Sequence, residues 1–203
     1  MDAKTCILKL SYVGVLNFAT VDQNGLPQVR CISAVHYEEN SFWFMTARGK
    51  EFYHQLIEDG HVPILVYTRF KEMIRVSAMA KRLPDEVQES CRNTIGEEQP
   101  YMENVYPNGT REILEAFEIK DMQMEYFNLG THPIGRYYYT VGNAEPIVKG
   151  YHISDACIQC GTCAEGCPQN AIDEGEPFVI HQDHCLQCGR CYENCPVQAI
   201  ERL

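Results

Sequence analysis

Residues 157–168 read CIQCGTCAEGCP, and residues 185–196 repeat the pattern as CLQCGRCYENCP. Each copy spaces its four cysteines as C-x2-C-x2-C-x3-C and ends in proline. The match extends beyond the cysteines, because Ala171-Ile172 and Ala199-Ile200 keep the same offset of 28 residues. Eight of the 11 cysteines in the chain lie in these two copies. The chain therefore ends in a duplicated cysteine-rich unit.

This spacing is typical of the thiolate runs that hold iron–sulfur clusters. In two-cluster folds the fourth cysteine of each run binds the cluster of the other run. The pattern therefore predicts two [4Fe–4S] clusters with four thiolate ligands each. The predicted ligands of the first cluster are Cys157, Cys160, Cys163 and Cys195, and those of the second are Cys185, Cys188, Cys191 and Cys167.

Zinc and disulfides are the alternatives for so many cysteines. A structural zinc site also uses C-x2-C pairs, but it needs only four ligands and no third cysteine at the next step. Disulfides do not suit a reducing compartment, and the start of the chain lacks the features of a signal peptide. Residues 151–203 resemble the bacterial two-[4Fe–4S] ferredoxin family. We expect strands at residues 151–153 and 178–180, and short helices that carry Ala171-Ile172 and Ala199-Ile200.

The length and charge of the chain limit its number of domains and its expected partners. A length of 203 residues suits one ordinary domain and one small one. The net charge is −11 and no stretch is basic enough for a phosphate backbone, so nucleic acid is not an expected partner. Residues 151–203 hold eight acidic and two basic side chains, which favours either a basic redox partner protein or simple solubility.

The apolar stretches are too short to span a membrane, and the expected location is the cytoplasm. The turn-rich segment 142–146 predicts a boundary that divides the chain into domains 1–146 and 147–203. A segment of about 50 residues buries little core, so we expect the clusters to stabilise the smaller domain as well.

The first 140 residues follow a β pattern. Strands are predicted at residues 18–21, 27–35, 41–46, 63–67, 73–78, 122–129 and 136–139. An Asn-Gly turn follows the first of these, a helix is expected over 50–58, and residues 84–118 are expected to be helical and loop-rich with an apolar face at Ile113, Leu114 and Phe117. The predicted fold class is mainly β plus α, with a small β-barrel and a small α+β ferredoxin-like domain.

Two motifs in this part resemble a known family. Phe18-Ala-Thr-Val-Asp22 with Gly25-x-Pro-x-Val-Arg30 is similar to the opening hairpin of the flavin-binding split-barrel proteins related to pyridoxamine 5′-phosphate oxidase. Phe44-Met-Thr46 followed by Arg48-Gly-Lys50 resembles the phosphate-binding stretch of that family. The resemblance implies a homodimer with FMN at the subunit interface. The residues it implies for FMN binding are Arg30, Cys31, Ser33, Thr46, Ala47, Arg48 and Lys50.

The chemistry of these residues agrees with a phosphate site. The phosphate of FMN needs charge-assisted donors, which Arg30, Arg48 and Lys50 supply, and a helix that starts at Lys50 would add free backbone N–H groups. Each cation taken alone could equally be a solvated surface charge. The aromatic side chains of Trp43 and residues 137–139 are expected to pack within strands instead of stacking on a flavin.

Three functions fit this combination. The first is an FMN-dependent oxidoreductase that exchanges electrons through its own clusters and reduces a small nitro, quinone or flavin-type acceptor. The second is a non-enzymatic electron carrier between protein partners. The third is pyridoxamine-phosphate oxidation, which is disfavoured because residues 136–139 run into the cysteine-rich segment and the family's terminal strand with arginine and histidine is missing. No catalytic residue is predicted.

Overall fold

The computed structural model describes all 203 residues and groups them into two compact units. The first unit comprises Met1–Tyr67, Ile74–Met124 and Tyr139–Glu145. The second comprises Thr68–Met73, Glu125–Tyr138 and Pro146–Leu203, so it includes two segments that precede the cysteine-rich tail. The domain boundary after residue 146 stays a prediction. The structure is mainly β with some α, as expected.

The chain forms six helices, fourteen strands and a 3₁₀ turn at Thr110–Ile113. None of the helices combines the length and the apolar character that a membrane span requires. The helices are α1 Ala3–Val13, α2 Glu51–Glu58, α3 Asp85–Glu98, α4 Met102–Val105, α5 Thr162–Glu165 and α6 Arg190–Glu193. The strands are β1 Leu16–Val21, β2 Pro27–Ile32, β3 Val35–Tyr37, β4 Phe42–Ala47, β5 His61–Tyr67, β6 Glu72–Met79, β7 Lys81–Arg82, β8 Leu114–Ile119, β9 Met122–Asn128, β10 Gly135–Val141, β11 Tyr151–Ile153, β12 Ile172–Asp173, β13 Val179–Ile180 and β14 Ile200–Arg202.

Two sheets contain the strands of the first unit. One has the order β10-β9-β6-β5-β1-β2, and the other has the order β3-β4-β8-β7. Strand β1 alternates between buried and more exposed residues, so it turns Phe18 inward. The Phe18 and Phe44 rings lie 4.7 Å apart, and the Phe44 and Phe117 rings lie 5.9 Å apart. These fully buried rings from β1, β4 and β8 join the two sheets.

The predicted hairpin between β1 and β2 is present. Leu16 pairs with Ile32, and the register continues to Val21 opposite Pro27. In the turn, the Asp22 carboxylate accepts hydrogen bonds from the backbone N–H groups of Asn24 at 2.9 Å and Leu26 at 3.0 Å. Gly25 has φ of +77°, which is why glycine suits this position.

Residues 84–118 differ from the expectation in their second half. The predicted helix start is correct, since α3 begins at Asp85. The apolar face at Leu114 and Phe117 is wrong as a helix face, because both residues lie in β8, which pairs with β4 along its whole length. Both faces of β8 are buried, so its apolar residues do not alternate with polar ones. The sequence therefore lacks the two-residue period that indicates a strand. Helix α1 was also not predicted; Asp2 caps it by accepting from Thr5 N at 2.8 Å.

The cysteine-rich tail folds as two related halves. Strand β11 pairs with β14, and β12 pairs with β13. The expected short helices at residues 171–172 and 199–200 are wrong. Ala171 and Ala199 instead precede strands, and their carbonyl groups accept from His181 N and Ser154 N, both at 2.8 Å. The helices of each half lie earlier, at α5 and α6, which begin two residues after the second and sixth cysteines of the tail.

Candidate functional site

Two cavities in the second unit are lined by the cysteines of the two runs. The thiols of one are Cys157, Cys160, Cys163 and Cys195. The thiols of the other are Cys185, Cys188, Cys191 and Cys167. Each cavity thus combines three cysteines of one run with the fourth cysteine of the other. We refer to these sets as the first and the second quartet.

The backbone around both quartets is nearly identical. Gln159 and Gln187 have φ near +59° and +58°, and each donates its backbone N–H to the sulfur of the cysteine two positions earlier, at 3.4 and 3.3 Å. Ala171 N donates to Cys167 Sγ at 3.4 Å, and Ala199 N donates to Cys195 Sγ at 3.2 Å. Backbone donors aimed at sulfur stabilise the thiolate form, which is the form that binds metal.

Burial opposes the negative charge of the thiolate form. It raises the pKa of the Cys191 thiol to about 11 and raises the pKa of Cys185 and Cys163 as well. Cys160 differs, because a hydrogen bond with Thr162 lowers its pKa. Buried thiols of this kind are protonated at neutral pH in the free chain, so binding of iron must release protons.

The quartets suit a polynuclear cluster. No group of three or more His, Cys, Asp or Glu side chains converges closely enough to hold a single metal ion. The sulfurs of each quartet instead line one pocket whose other walls are mainly apolar, such as Ile153 and Phe178 at the first quartet. A four-thiolate set around such a pocket fits a [4Fe–4S] cluster in number and chemistry.

The predicted phosphate site lies at the start of α2 in the first unit. Lys50 occupies the N-cap position of α2, and no side chain caps this end of the helix. The Lys50 side chain is exposed and makes no hydrogen bond or ion pair, whereas Arg48 donates to the Glu112 carbonyl at 2.9 Å. Thr46 and Ala47 are buried at the end of β4. An uncapped helix start beside two exposed cations fits a phosphate group.

Arg30 reaches the same helix from β2. Its guanidinium lies 4.4 Å above the ring of Phe52 and donates to Gln55 Oε1 at 3.1 Å. It also donates to the hydroxyl of Thr20. The structure therefore brings Arg30 together with the stretch from Thr46 to Lys50 around α2.

Cys31 and Ser33 point elsewhere. The Cys31 thiol is exposed and lies 3.3 Å from the side-chain oxygen of Asn17 on the outer face of the sheet. The Ser33 hydroxyl is hydrogen-bonded to the Tyr101 hydroxyl at 2.6 Å. Their side chains do not face α2, so only their backbone could contribute to the expected flavin contact. The assignment of all seven residues to FMN stays a prediction.

A buried carboxylate that sequence reasoning missed holds one of the phosphate-site cations, Arg48. Glu115 accepts from Arg82, from the Tyr53 hydroxyl at 3.2 Å and from Arg48 at 3.4 Å. The bond from Arg82 is the main reason why the pKa of Glu115 is lowered. Glu115 therefore stays ionised and fixes Arg48. These partners are 33 to 67 residues apart, so no local pattern could reveal them.

Family comparisons agree with this geometry. Residues 7–124 match the family model described as pyridoxamine 5′-phosphate oxidase, and residues 149–196 match the model described as 4Fe-4S dicluster domain. The chain belongs to the pyridoxamine 5′-phosphate oxidase family. It joins an FMN-binding-type split barrel of that family to a dicluster ferredoxin domain. The family resemblance and the fold class expected from the sequence are confirmed.

Solved structures of other proteins share the fold. A NimC/NimA family protein from Clostridium acetobutylicum is 17% identical, with a TM-score of 0.57 over 68% of this chain and 91% of that one. A pyridoxamine 5′-phosphate oxidase-related, FMN-binding protein from Nostoc punctiforme is 18% identical, with a TM-score of 0.53 over 70% of this chain and 91% of that one. Identities this low establish the fold alone.

Curated relatives match only the tail of this family member. Ferredoxin-1 of Rhodospirillum rubrum is 50% identical over 34 residues, which is 16% of this chain and 62% of that protein. The ferredoxin of Clostridium pasteurianum is 52% identical over 30 residues, 15% of this chain and 54% of that protein. The chain thus spans somewhat more than half the length of these relatives, and the likeness concerns the cysteine runs.

Proposed function

We propose that this chain is an FMN-dependent oxidoreductase that exchanges electrons through its own two [4Fe–4S] clusters and reduces a small organic acceptor of the nitro, quinone or flavin type. The observation that carries the proposal is the presence of two cysteine-lined cavities in a chain whose other half has the fold of an FMN-binding family. When bound, FMN exchanges one or two electrons and each cluster exchanges one, so together they can link one-electron donors to a two-electron acceptor.

Cofactor content and turnover test this function. Protein purified without oxygen should hold about eight irons, about eight sulfides and one FMN per chain. After reduction with dithionite it should reduce at least one compound of a panel of nitroaromatics, quinones and free flavins catalytically. Full cofactor loading without turnover of any panel member would contradict an enzyme and favour the electron carrier. Zinc in place of iron would contradict both.

Lys50 offers a sharp test of the FMN site. It is exposed and without a side-chain partner, so its replacement should leave the fold intact. Lys50→Gln removes one charge-assisted contact to the phosphate, and we expect FMN to bind about 10- to 100-fold more weakly, from about 1.5–3 kcal/mol for such a bond. Quenching of FMN fluorescence measures the affinity. Lys120→Gln, an exposed cation on the loop between β8 and β9, is the matched control and should bind FMN normally.

We also propose a homodimer whose interface includes the outer face of β1, β2 and β5. In this face Asn17 lies opposite both Cys31 and Leu65, and Ala19 lies opposite Val29. Val29 is 72% exposed, and Val21, Leu65 and Tyr67 are also exposed. Such an apolar sheet face is a suitable surface for a second copy, and β2 also carries Arg30 toward the phosphate site.

Sedimentation measures the oligomeric state. Val29→Asp places a charge on this sheet face and should shift the protein from dimer to monomer, with weaker FMN binding. Val148→Asp is the matched control, because Val148 is 69% exposed and lies outside the face. A Val29→Asp variant that remains dimeric would place the interface elsewhere.

A further inference from the structure

A buried ion pair lies behind the loop of the second quartet. Arg136 and Glu125 are 6% exposed each, and Arg136 Nη1 donates to Glu125 Oε1 at 2.8 Å. Arg136 is on β10 and Glu125 is on β9, and both belong to the second unit. The guanidinium also lies 4.3 Å from the centre of the Phe127 ring. Burying two charges costs several kcal/mol per ion, so such a pair is weak evidence for a stabilising role.

Arg136 is bonded directly to the cysteine loop. Its Nη2 donates to the carbonyl of Leu186, which lies between Cys185 and Cys188, at 3.3 Å. Its backbone N–H donates to the Asp183 carbonyl at 2.8 Å. The positive charge is close enough to Cys185 to favour its thiolate, although burial dominates and raises the pKa of that thiol.

One donor of the guanidinium has no acceptor within the chain. Arg136 Nε is buried and makes no hydrogen bond. A buried polar group without a partner costs about 1–3 kcal/mol, so its retention points to a role beyond the stability of the chain. A neighbouring β10 side chain strengthens the contact with the loop, because Tyr138 accepts a hydrogen bond from Gln187 Nε2 at 2.8 Å.

The first quartet lacks this environment, although the two halves are related by sequence. Gln159 and Ile158 correspond to Gln187 and Leu186, but both are exposed, Ile158 by 60%. Cys185 is buried whereas its counterpart Cys157 is only half-buried. The second quartet is therefore the more deeply buried of the two and has a buried cation beside it.

We propose that Arg136 keeps the second cluster reducible by placing a buried positive charge behind its binding loop. This inference rests on the proposed cluster content. Reduction adds one electron and no proton to the site, so the negative charge of the site grows by one. Low-dielectric surroundings oppose that charge, and a nearby cation compensates for it. Arg136 thereby acts as a positioning residue. It keeps the reduction potential of the buried second cluster close to that of the more exposed first cluster.

Redox titration followed by electron paramagnetic resonance tests the proposal on the whole, reconstituted chain. Arg136→Met should reduce the equilibrium constant for electron transfer from the first to the second cluster about tenfold or more, which is a shift of about 59 mV for a one-electron couple. Arg136→Lys retains the positive charge, so its equilibrium constant for this electron transfer should be close to that of the wild type. Glu125→Gln removes the opposing charge and should shift the second cluster in the opposite direction.

Two further variants make the outcome decisive. Lys149→Met removes an exposed cation of the same unit and should shift neither cluster. Cys188→Ala removes a ligand of the second quartet and so identifies which step belongs to it. Equal shifts of both clusters in Arg136→Met, no shift, or the same direction of shift in Glu125→Gln would overturn the proposal. Wild-type protein that binds no clusters would instead refute the proposed function, and this inference with it.

Discussion

At the scale of single residues, Glu115 carries the most consequential interactions of the first unit. Its carboxylate is 7% exposed and receives donors from β4, α2 and β7 through Arg48, Tyr53 and Arg82. Because Arg82 holds the pKa of Glu115 below its usual value, the folded state favours the ionised form. That preference is a source of stability at pH values above the usual glutamate pKa of about 4.3, and it is lost as the pH falls through the depressed pKa of the folded state.

Glu115→Gln should therefore destabilise the first unit in a pH-dependent way. At pH 7 we expect a loss of about 1–3 kcal/mol, because Arg82 and Arg48 lose a charged acceptor but are partly solvated. The loss should shrink as the pH falls below about 4.3, since the wild type then loses the same advantage. Urea unfolding followed by the fluorescence of Trp43, the single tryptophan and a residue of the first unit, measures it.

Glu118→Gln is the matched control on the same strand. Glu118 forms an ion pair of 3.2 Å with the exposed Lys120, and the pair is partly open to solvent, so its removal should cost less than about 1 kcal/mol at either pH. A Glu115→Gln loss that is as small, or that does not depend on pH, would show that the carboxylate does not organise this region.

The contrast between Glu115 and the cysteines explains what the sequence could reveal about the sites. Three cysteines spaced by two residues bind one cluster, and in two-cluster folds the fourth cysteine of the run binds the other, so this spacing was enough to predict both quartets that line the cavities. Glu115 meets Arg48 across 67 residues, and Arg136 meets Leu186 across 50. Such pairs depend on strand order and register, which no local spacing encodes.

At the scale of elements, α3 is joined to β8 by one buried side chain. Gln88 is 4% exposed; its amide nitrogen donates to the Leu83 carbonyl at 2.7 Å, and its amide oxygen accepts from Ala116 N at 2.8 Å. The short partner strand β7 ends at Arg82, so the backbone of β8 beyond it needs another partner. Gln88 supplies it.

Gln88→Leu should destabilise the first unit by about 1–3 kcal/mol, because the buried N–H of Ala116 in β8 loses its acceptor and the Leu83 carbonyl loses a donor. Urea unfolding followed by Trp43 fluorescence measures the loss. Glu89→Leu, on the exposed side of the same helix, should change stability by less than about 0.5 kcal/mol. Equal stability of the two variants would contradict a role for Gln88 in joining the helix to the strand.

The sequence predicted strands correctly where one face of the strand is exposed to solvent. Strands β1 and β5 alternate between buried and exposed residues and were predicted at residues 18–21 and 63–67. Strand β8 is buried on both faces and was missed for that reason. Residues 171–172 and 199–200 were assigned to helices, but their pairing with distant backbone groups makes them extended. The conformation of these residues is determined by pairing with distant strands and not by local propensity.

At the scale of the whole molecule, the two compact units obtain stability in different ways. The first has a core of stacked aromatic rings between two sheets. The second has a small apolar core, and most of the quartet cysteines pack against it. That core consists of Ile153, Ile172, Phe178, Ile180, Cys185 and Ile200. So few apolar side chains do not readily offset the entropy of ordering the tail, and we expect bound clusters to supply the difference.

Removal of iron should therefore unfold the tail selectively. After treatment with a chelator and an oxidant, we expect protease cleavage sites to appear within residues 146–203 while the emission of Trp43 in the first unit stays unchanged. The double variant Cys160→Ala/Cys188→Ala, which lacks a ligand of each cluster, should lose iron and show the same cleavage. Cys31→Ala, an exposed cysteine outside both quartets, should retain about eight irons and resist the protease. A tail that stays resistant without iron would mean that its apolar core suffices, and the clusters would then serve electron transfer alone.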